Sequence, residues 1–225
     1  MNSIIRCRTV GEAWVESIKS ILEGGHNHHD EDVDMLEILG LSVSVSHPEL
    51  RDSIFERYGD GVVIDNMLKK FSKGYVMDNR PFTYSGRIYD YNGINQFSWL
   101  QQRLINKRET KSATISLLYP ADNDPNQPCL TTVDAKIRNE KLHLQFFFRS
   151  QNIFGRQYAN FLALTHFQKK LADACNVGIG SLSGFIASAH IYAFDIEAAK
   201  LIAAGDESKI VDKYYSHGPS SVRTG

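Results

Sequence analysis

Several features that mark specialised classes of protein are scarce in this chain of 225 residues. It has only three cysteines, far apart, which does not suit a disulfide framework and predicts reduced thiols. No apolar run approaches the roughly 20 residues of a membrane span, and the N-terminus lacks the apolar core of a secretory signal. We therefore expect a cytoplasmic protein that has no membrane partner.

A surplus of positive charge is also missing. The chain carries 25 Lys and Arg against 26 Asp and Glu, for a formal net charge of −1. A general nucleic-acid binder would normally be basic, so no nucleic-acid partner is predicted. Neither GxxxxGK[ST] nor GxGxxG occurs, which removes the phosphate loop and the Rossmann fingerprint from consideration.

One polar segment, HNHHDED at residues 26–32, contains His26, His28 and His29 beside several carboxylates. Zinc uses such ligands, but it usually requires a defined spacing, and neither a Cys pair nor an HExxH helix is present. We interpret the segment as an exposed loop, and no metal is predicted.

Helical and strand patterns alternate along the whole chain without repeats or a linker, which predicts one α+β domain over residues 1–225. Helices are expected at 9–25, where Thr9 and Glu12 have capping-box spacing, and in two pieces within 49–74. Others are expected at 94–108, at 159–176 and after Asp195 as far as Gly205. Strands are expected at 36–48, 112–120, 129–138, 141–150 and 180–194. An aromatic loop near a site is expected at 81–93, and a loose tail at 216–225.

The clearest local prediction is a β-hairpin, because two alternating strands are separated only by Asn139 and Glu140. Pairing the residues on either side of this turn, and counting outward, places Cys129 opposite Ser150 and one step from Arg149. A guanidinium beside a thiol favours the nucleophilic thiolate. Cys129 is therefore a candidate nucleophile, and the alternative is a small buried residue at a strand end.

A second pair, His190 and Tyr192, lies two residues apart on one strand and shares a face. Together these side chains could hold a sugar hydroxyl or an amide, and the alternative is a buried pair satisfied by the backbone. A Cys129–His190 hydrolase is a further alternative, although no papain-like or caspase-like signature surrounds Cys129.

These motifs resemble those of the thymidylate synthase family, which includes the pyrimidine nucleotide hydroxymethylases. The shared elements are Pro128-Cys129, Arg149-Ser150, Asn160 and His190-Ile191-Tyr192, in matching order and spacing. The YSGR segment, with Tyr84, and the helix after it resemble the family more weakly. The resemblance implies a three-layer α+β domain around a mixed, largely antiparallel sheet.

The resemblance also implies a reaction, in which Cys129 adds to C6 of a pyrimidine nucleotide monophosphate. The activated C5 then takes a one-carbon unit from 5,10-methylenetetrahydrofolate as co-substrate. Tyr84 would belong to the network that removes the C5 proton. Asn160 would bind the base edge and steady the developing charge. An Asn is typical of uracil readers, and a flipped amide would read cytosine.

The remaining implied roles concern the nucleotide's phosphate and sugar. Arg149 and Ser150 would bind the 5′-phosphate, and His190 and Tyr192 would hold the sugar hydroxyl, in either a ribose or a deoxyribose. The family forms homodimers with shared active sites, and by position Lys111 would supply a phosphate cation to the partner subunit.

The chain departs from the family at several positions. Lys111-Ser112 stands where the family has Arg-Arg, the HNHHDED segment stands where it has an arginine loop, and Asn152 replaces its folate-contacting Asp. The family's folate-stacking Trp has no clear counterpart, and Asp65 is a weak candidate for its active-site Glu. We expect a specialised C5 methyltransferase or hydroxymethylase. The alternative is a nucleotide-binding relative that has lost folate chemistry.

Overall fold

The fold is given by a computed structural model that describes residues 4–30, 32–77, 82–119 and 127–205. The helices are α1 (Val10–Gly24), α2 (Ser53–Tyr58), α3 (Gly61–Lys70), α4 (Tyr84–Tyr89), α5 (Gln96–Asn106), α6 (Tyr158–Ala174) and α7 (Ile196–Ala204). The strands are β1 (Ile4–Cys7), β2 (His26–Asp30), β3 (Val33–Val45), β4 (Thr114–Ser116), β5 (Leu130–Arg138), β6 (Lys141–Asn152) and β7 (Gly178–Tyr192). The tail expected at 216–225 lies outside the described residues.

The strands form one seven-stranded sheet in the order β1-β3-β7-β6-β5-β4, with β2 also paired to β3. The β1–β3 and β6–β7 pairs are parallel, and the other described pairs are antiparallel. The parallel β6–β7 pair is joined by α6, because parallel neighbours require a long crossover. This topology confirms the α+β fold class with a mixed, largely antiparallel sheet.

Helices α1 and α6 pack on the sheet, and α3 packs on α6, which gives three layers. The start of α1 carries the expected capping box, with the Thr9 hydroxyl accepting from the Glu12 N–H and the Glu12 carboxylate accepting in return. Trp14 of α1 is almost fully buried, and its indole N–H donates to the Ile153 carbonyl at 2.9 Å. The core therefore lies between the sheet and the two long helices.

Three local predictions are wrong. The histidine-rich residues 26–30 form strand β2, because their backbone pairs antiparallel with the start of β3 even though every one of them is exposed. Part of the expected loop at 81–93 is helix α4, whose first turn is capped by the Thr83 hydroxyl accepting from the Gly86 N–H. The strand expected at 112–120 is only Thr114–Ser116.

The alternation of buried side chains is interrupted along one row that crosses three central strands of the sheet. The row consists of Gly40 on β3, which has a φ of +80°, Ala187 on β7 and Arg149 on β6. Buried residues lie on both sides of the row and are three apart along each strand instead of two: Leu41 and Ile38, Ile186 and Ala189, Phe148 and Gln151. On each strand, the alternation of core-facing and outward-facing residues therefore shifts by one position at this row. Beyond the row, the polar residues lie on the face of the sheet away from the core.

Candidate active site

Cys129 directly precedes β5 and is half-buried. Its carbonyl accepts a hydrogen bond from the Arg149 N–H at 2.9 Å, so Cys129 lies opposite Arg149. The predicted pairing with Ser150 is wrong by one residue. The register follows the predicted count from Arg138–Lys141 to Thr132–Phe147, and then a bulge between Leu130 and Thr132 shifts it.

The Arg149 side chain returns to the segment before the cysteine. Its Nε–H donates to the Pro128 carbonyl at 3.2 Å, and its Nη2–H donates to the Gln127 carbonyl at 2.8 Å. The main chain of Arg149 bonds to Cys129 and its side chain bonds to Pro128 and Gln127, so both parts of the residue hold this short segment. The guanidinium is therefore fixed at the segment that precedes Cys129, on the residue directly paired with Cys129.

Tyr84, the first residue of α4, reaches the same point from another part of the chain. Its hydroxyl accepts from the Leu130 N–H at 3.2 Å, and its ring packs on Phe71 with centroids 5.0 Å apart. Burial, reinforced by Cys129, raises the pKa of the Tyr84 phenol far above its usual range, and Arg149 opposes the shift. The phenol therefore stays protonated at neutral pH and can donate as well as accept.

Asn160 lies in the first turn of α6 and is 5% exposed. Its Oδ1 makes no hydrogen bond within the part of the chain that the structure describes. A buried amide oxygen without a partner is costly, so a bound molecule is a natural partner.

The turn before α6 is a π-helix, Ile153–Gln157, capped by the Asn152 Oδ1, which accepts from the Gly155 N–H at 2.8 Å.

The structure brings His190 and Tyr192 together as predicted, with ring centroids 5.0 Å apart on β7. His190 is 6% exposed, and its Nδ1 has no hydrogen-bond partner among the residues described. Burial lowers the pKa of the His190 imidazole, although the Glu37 carboxylate acts in the opposite direction. A neutral imidazole is therefore available to bind a hydroxyl.

A polar row crosses four adjacent strands at the level of His190. It runs from His26 on β2 to Glu37 on β3, His190 on β7 and Asn152 on β6. Directly opposite residues share a face of a sheet. Sequence analysis missed Glu37, although a carboxylate between apolar neighbours in a strand is an unusual choice that could have marked it.

Lys111 lies away from this cluster within one chain. It is exposed and precedes β4, whose pairing with β5 runs from Ser116–Thr132 to Thr114–Asp134. The neighbouring Thr110 carbonyl accepts from the Arg138 guanidinium at 3.5 Å. Lys111 is therefore near the turn end of the hairpin, and Cys129 is at the opposite end.

The geometry does not support a Cys129–His190 hydrolase. Cys129 precedes β5 and His190 lies on β7, and β6 separates these two strands. Two strand spacings amount to about 10 Å, which is beyond hydrogen-bond reach for a nucleophile and its base.

Neither tryptophan belongs to the cluster around Cys129. Trp14 is in the core, and Trp99 is on α5 and 44% exposed. A folate-stacking Trp is thus not among the residues that gather there.

Comparison with known proteins identifies the family of the chain. The family model described as thymidylate synthase matches residues 58–210, which is more than half of the chain. The chain belongs to the thymidylate synthase family. The match includes Tyr84, Cys129, Arg149, Asn160 and His190.

The relatives are archaeal proteins that carry the name "Putative thymidylate synthase". The one from Methanothermobacter marburgensis is 26% identical over 208 residues, covering 85% of this chain and 93% of the relative. Those from Methanococcoides burtonii and Methanosarcina mazei are each 26% identical over 206 residues, covering 90% of this chain and 95% of the relative. The likeness to these thymidylate synthase relatives therefore extends over nearly their whole length.

The described residues contain neither a membrane-spanning helix nor a cluster of metal-binding side chains. No helix there is long and apolar enough to cross a membrane. No group of three or more His, Cys, Asp or Glu side chains is placed there to hold a metal ion.

Proposed function

We propose that this chain transfers a one-carbon unit to C5 of a pyrimidine nucleotide monophosphate, through a covalent bond between the Cys129 sulfur and C6 of the base. The observation that carries the proposal is the position of Cys129 between Arg149 and Tyr84, in a chain of the thymidylate synthase family. Membership of that family supports C5 methylation-type chemistry, and the details below are the proposal.

In this proposal the Cys129 thiolate attacks C6, and the electron pair of the C5–C6 bond moves toward C5 and O4. The amide of Asn160 hydrogen-bonds the base edge where this charge develops. C5 would then bond to the methylene carbon of bound 5,10-methylenetetrahydrofolate. Loss of the C5 proton and cleavage of the bond between that carbon and the folate nitrogen would leave a methylene group on C5, which would take hydride from the folate, giving dihydrofolate, or hydroxide from water, giving tetrahydrofolate. The protonated Tyr84 phenol lies beside Cys129 and helps to take the C5 proton to solvent through hydrogen bonds. Departure of Cys129 from C6 then restores the double bond.

The nucleotide's phosphate and sugar would be held at opposite ends of the site. Arg149 and Ser150 bind the 5′-phosphate, where the Arg149 side chain is already fixed by two carbonyls. His190 and Tyr192 bind the sugar, and the unpaired Nδ1 of His190 supports this role.

The residues on the folate side fit the co-substrate only in part. Asn152 stands at the family's folate-contacting position, and its Oδ1 is already engaged by the Gly155 N–H. Trp14 is in the core and Trp99, on α5, is 44% exposed, and we assign neither to cover a pterin ring. A folate side that admits water favours hydroxymethylation, in which water rather than hydride completes the new group at C5.

We also propose a homodimer with shared active sites. Leu39 is 70% exposed and Phe147 is 39% exposed, although both lie on central strands of the sheet. Phe147 and Phe185 stack with centroids 5.6 Å apart. A second copy packed on this face would cover these apolar side chains and could bring its Lys111 to the phosphate. The three cysteines form no disulfide with one another, which suits a reducing compartment such as the cytoplasm.

Release of tritium from C5 tests the reaction directly. The protein is incubated with 5,10-methylenetetrahydrofolate and with C5-tritiated UMP, dUMP, CMP or dCMP. We expect release from at least one nucleotide, and mass spectrometry of the product separates a methyl from a hydroxymethyl group.

The alternative function is a nucleotide-binding relative without folate chemistry. It predicts nucleotide binding without tritium release, and binding that Cys129→Ala leaves unchanged. That pair of results, obtained beside an active control synthase, would rule out the proposed reaction.

A further inference from the structure

The polar row that crosses β2, β3, β7 and β6 contains one carboxylate beside the proposed sugar site. Glu37 is the direct partner of His190 in the antiparallel β3–β7 pair. The Cβ atoms of such partners are about 4.5–5.5 Å apart, and their side chains lie on the same face. A molecule bound by His190 is therefore within reach of Glu37.

The Glu37 carboxylate is oriented by another residue. The Ser188 hydroxyl, two residues before His190 on the same strand, donates to the Glu37 Oε1. Ser188 is the one hydrogen-bond partner found for the Glu37 carboxylate within the part of the chain that the structure describes, and the Nδ1 of the buried His190 has none there. Two neighbouring side chains can thus each make a further hydrogen bond, and neither bonds to the other.

The sign of the charge identifies what this end of the site can accept. The two charged groups that act on the His190 imidazole, Glu37 and Asp30, are both carboxylates. A phosphate would be repelled here, and it has the Arg149 guanidinium at the other end. A carboxylate accepts hydrogen bonds and cannot donate, so its natural partner is a hydroxyl.

We infer that Glu37 is a substrate-binding residue that accepts a hydrogen bond from the 2′-hydroxyl of the sugar, so that the site prefers a ribonucleotide to a 2′-deoxyribonucleotide. The inference rests on the proposed function for placing the sugar at His190 and Tyr192. His190 binds the 3′-hydroxyl, and Glu37 binds its neighbour. A deoxynucleotide would leave a half-buried carboxylate oxygen without a partner, which costs affinity.

Binding without folate tests this inference separately from the reaction. Isothermal titration calorimetry compares UMP with dUMP, and CMP with dCMP, on the full chain. We expect the ribonucleotide of the accepted base to bind about tenfold to a hundredfold more tightly, as for a hydrogen bond to a charged group. The arabinose epimer of the accepted ribonucleotide, whose 2′-hydroxyl points to the other side of the ring, should bind like the deoxynucleotide.

The Glu37→Gln variant separates reading of the sugar from positioning of His190. It keeps an oxygen for the Ser188 hydroxyl and removes the charge. We expect it to weaken ribonucleotide binding and to leave deoxynucleotide binding within about twofold. Asp34→Asn is the matched control, because Asp34 lies on the same strand, pairs with the exposed His29 and faces the opposite side.

Equal or tighter binding of the deoxynucleotide by the unmodified protein would overturn the inference, even if Glu37→Gln does not fold. An equal loss for both sugars in Glu37→Gln would also overturn it, since Glu37 would then only position His190. Tritium release that is faster from a deoxynucleotide would leave the proposed function standing and remove only the inference. Failure to bind any of the nucleotides would remove both.

Discussion

The side chains at the start of β5 are positioned mainly by main-chain groups. Arg149 donates to two carbonyls before Cys129, and Tyr84 accepts from the N–H after it. Such contacts depend little on the identity of neighbouring side chains, so they fix the thiol with respect to the guanidinium and the phenol. The positions of Arg149 and Tyr84 around this segment therefore do not require a bound ligand.

The first prediction concerns the nucleophile. Cys129→Ser should lower tritium release by about a thousandfold or more, because a hydroxyl is a far weaker nucleophile toward C6. A nucleotide with fluorine at C5, which cannot lose a proton there, should give a covalent adduct with the unmodified protein in the presence of the folate. Intact mass spectrometry would detect the adduct.

Cys7→Ser is the control for this change. Cys7 is half-buried on β1, away from Cys129, and burial raises the pKa of its thiol, which makes it a poor nucleophile. Adduct formation that survives in Cys129→Ser and disappears in Cys7→Ser would reassign the nucleophile.

At the scale of elements, predictability follows the range of the interactions. The hairpin turn and α1 were predictable because two turn residues and a capping box lie within a few positions of one another. Strand β2 was not, because its polar sequence forms a strand only by pairing with β3. The nearness of Arg149 to Cys129 was predictable from the hairpin count. The predicted partner of Cys129 was wrong by one residue, because the alternation of apolar and polar residues does not reveal a β-bulge.

The second prediction concerns the hairpin turn. Asn139 and Glu140 both have positive φ values, 51° and 55°, and Glu140 is the residue that adopts this region less readily. Glu140→Gly should therefore stabilise the fold by up to about 1 kcal/mol, measured by urea denaturation. The change also removes the exposed Arg108–Glu140 ion pair, whose contribution is small.

Glu140→Gln separates these two effects. It removes the ion pair and keeps the backbone conformation, so its stability should change by less than about 1 kcal/mol. If Glu140→Gly is less stable than Glu140→Gln, the strain argument fails.

The third prediction concerns the approach to α7. Burial raises the pKa of the Asp195 carboxyl from 3.8 to about 6, and Arg156 opposes this shift. The folded state then binds the proton more tightly than the unfolded state. Asp195 thus contributes stability below about pH 4 that is lost as the pH rises through about 6.

Asp195→Asn should therefore gain stability relative to the unmodified protein between pH 4 and pH 7, by about 2 kcal/mol. Denaturant titrations at several pH values measure the difference. The exposed Asp173→Asn on α6 is the control, for which we expect a much smaller change. A difference for Asp195→Asn that is constant with pH would contradict the assignment.

At the scale of the whole molecule, the proposed function implies that a single chain would present an incomplete site. Lys111 is distant from Cys129 within one chain, and exposed apolar residues lie on central strands of the sheet. Both observations are accounted for if two copies pack through this face. A monomer would then have the nucleophile without the second phosphate cation.

The fourth prediction tests this sharing. Lys111→Ala and Cys129→Ser should each be nearly inactive alone. Mixing equal amounts under conditions that exchange subunits should restore about a quarter of the native activity, since half of the dimers are mixed and each has one intact site. Phe147→Asp in both variants should prevent this recovery and give a monomer by light scattering. No recovery in mixed dimers that do form would show that Lys111 acts within its own subunit.

The position of β7 also has a consequence for the synthesis of the protein. This strand is the last of the described strands along the chain and lies between β3 and β6. Until the ribosome has released it, both neighbours expose unpaired edges, which readily pair with other chains. Contacts between residues so distant in sequence form slowly. The nascent chain thus depends most on protection from aggregation just before His190 and Tyr192, the residues proposed to hold the sugar, are added.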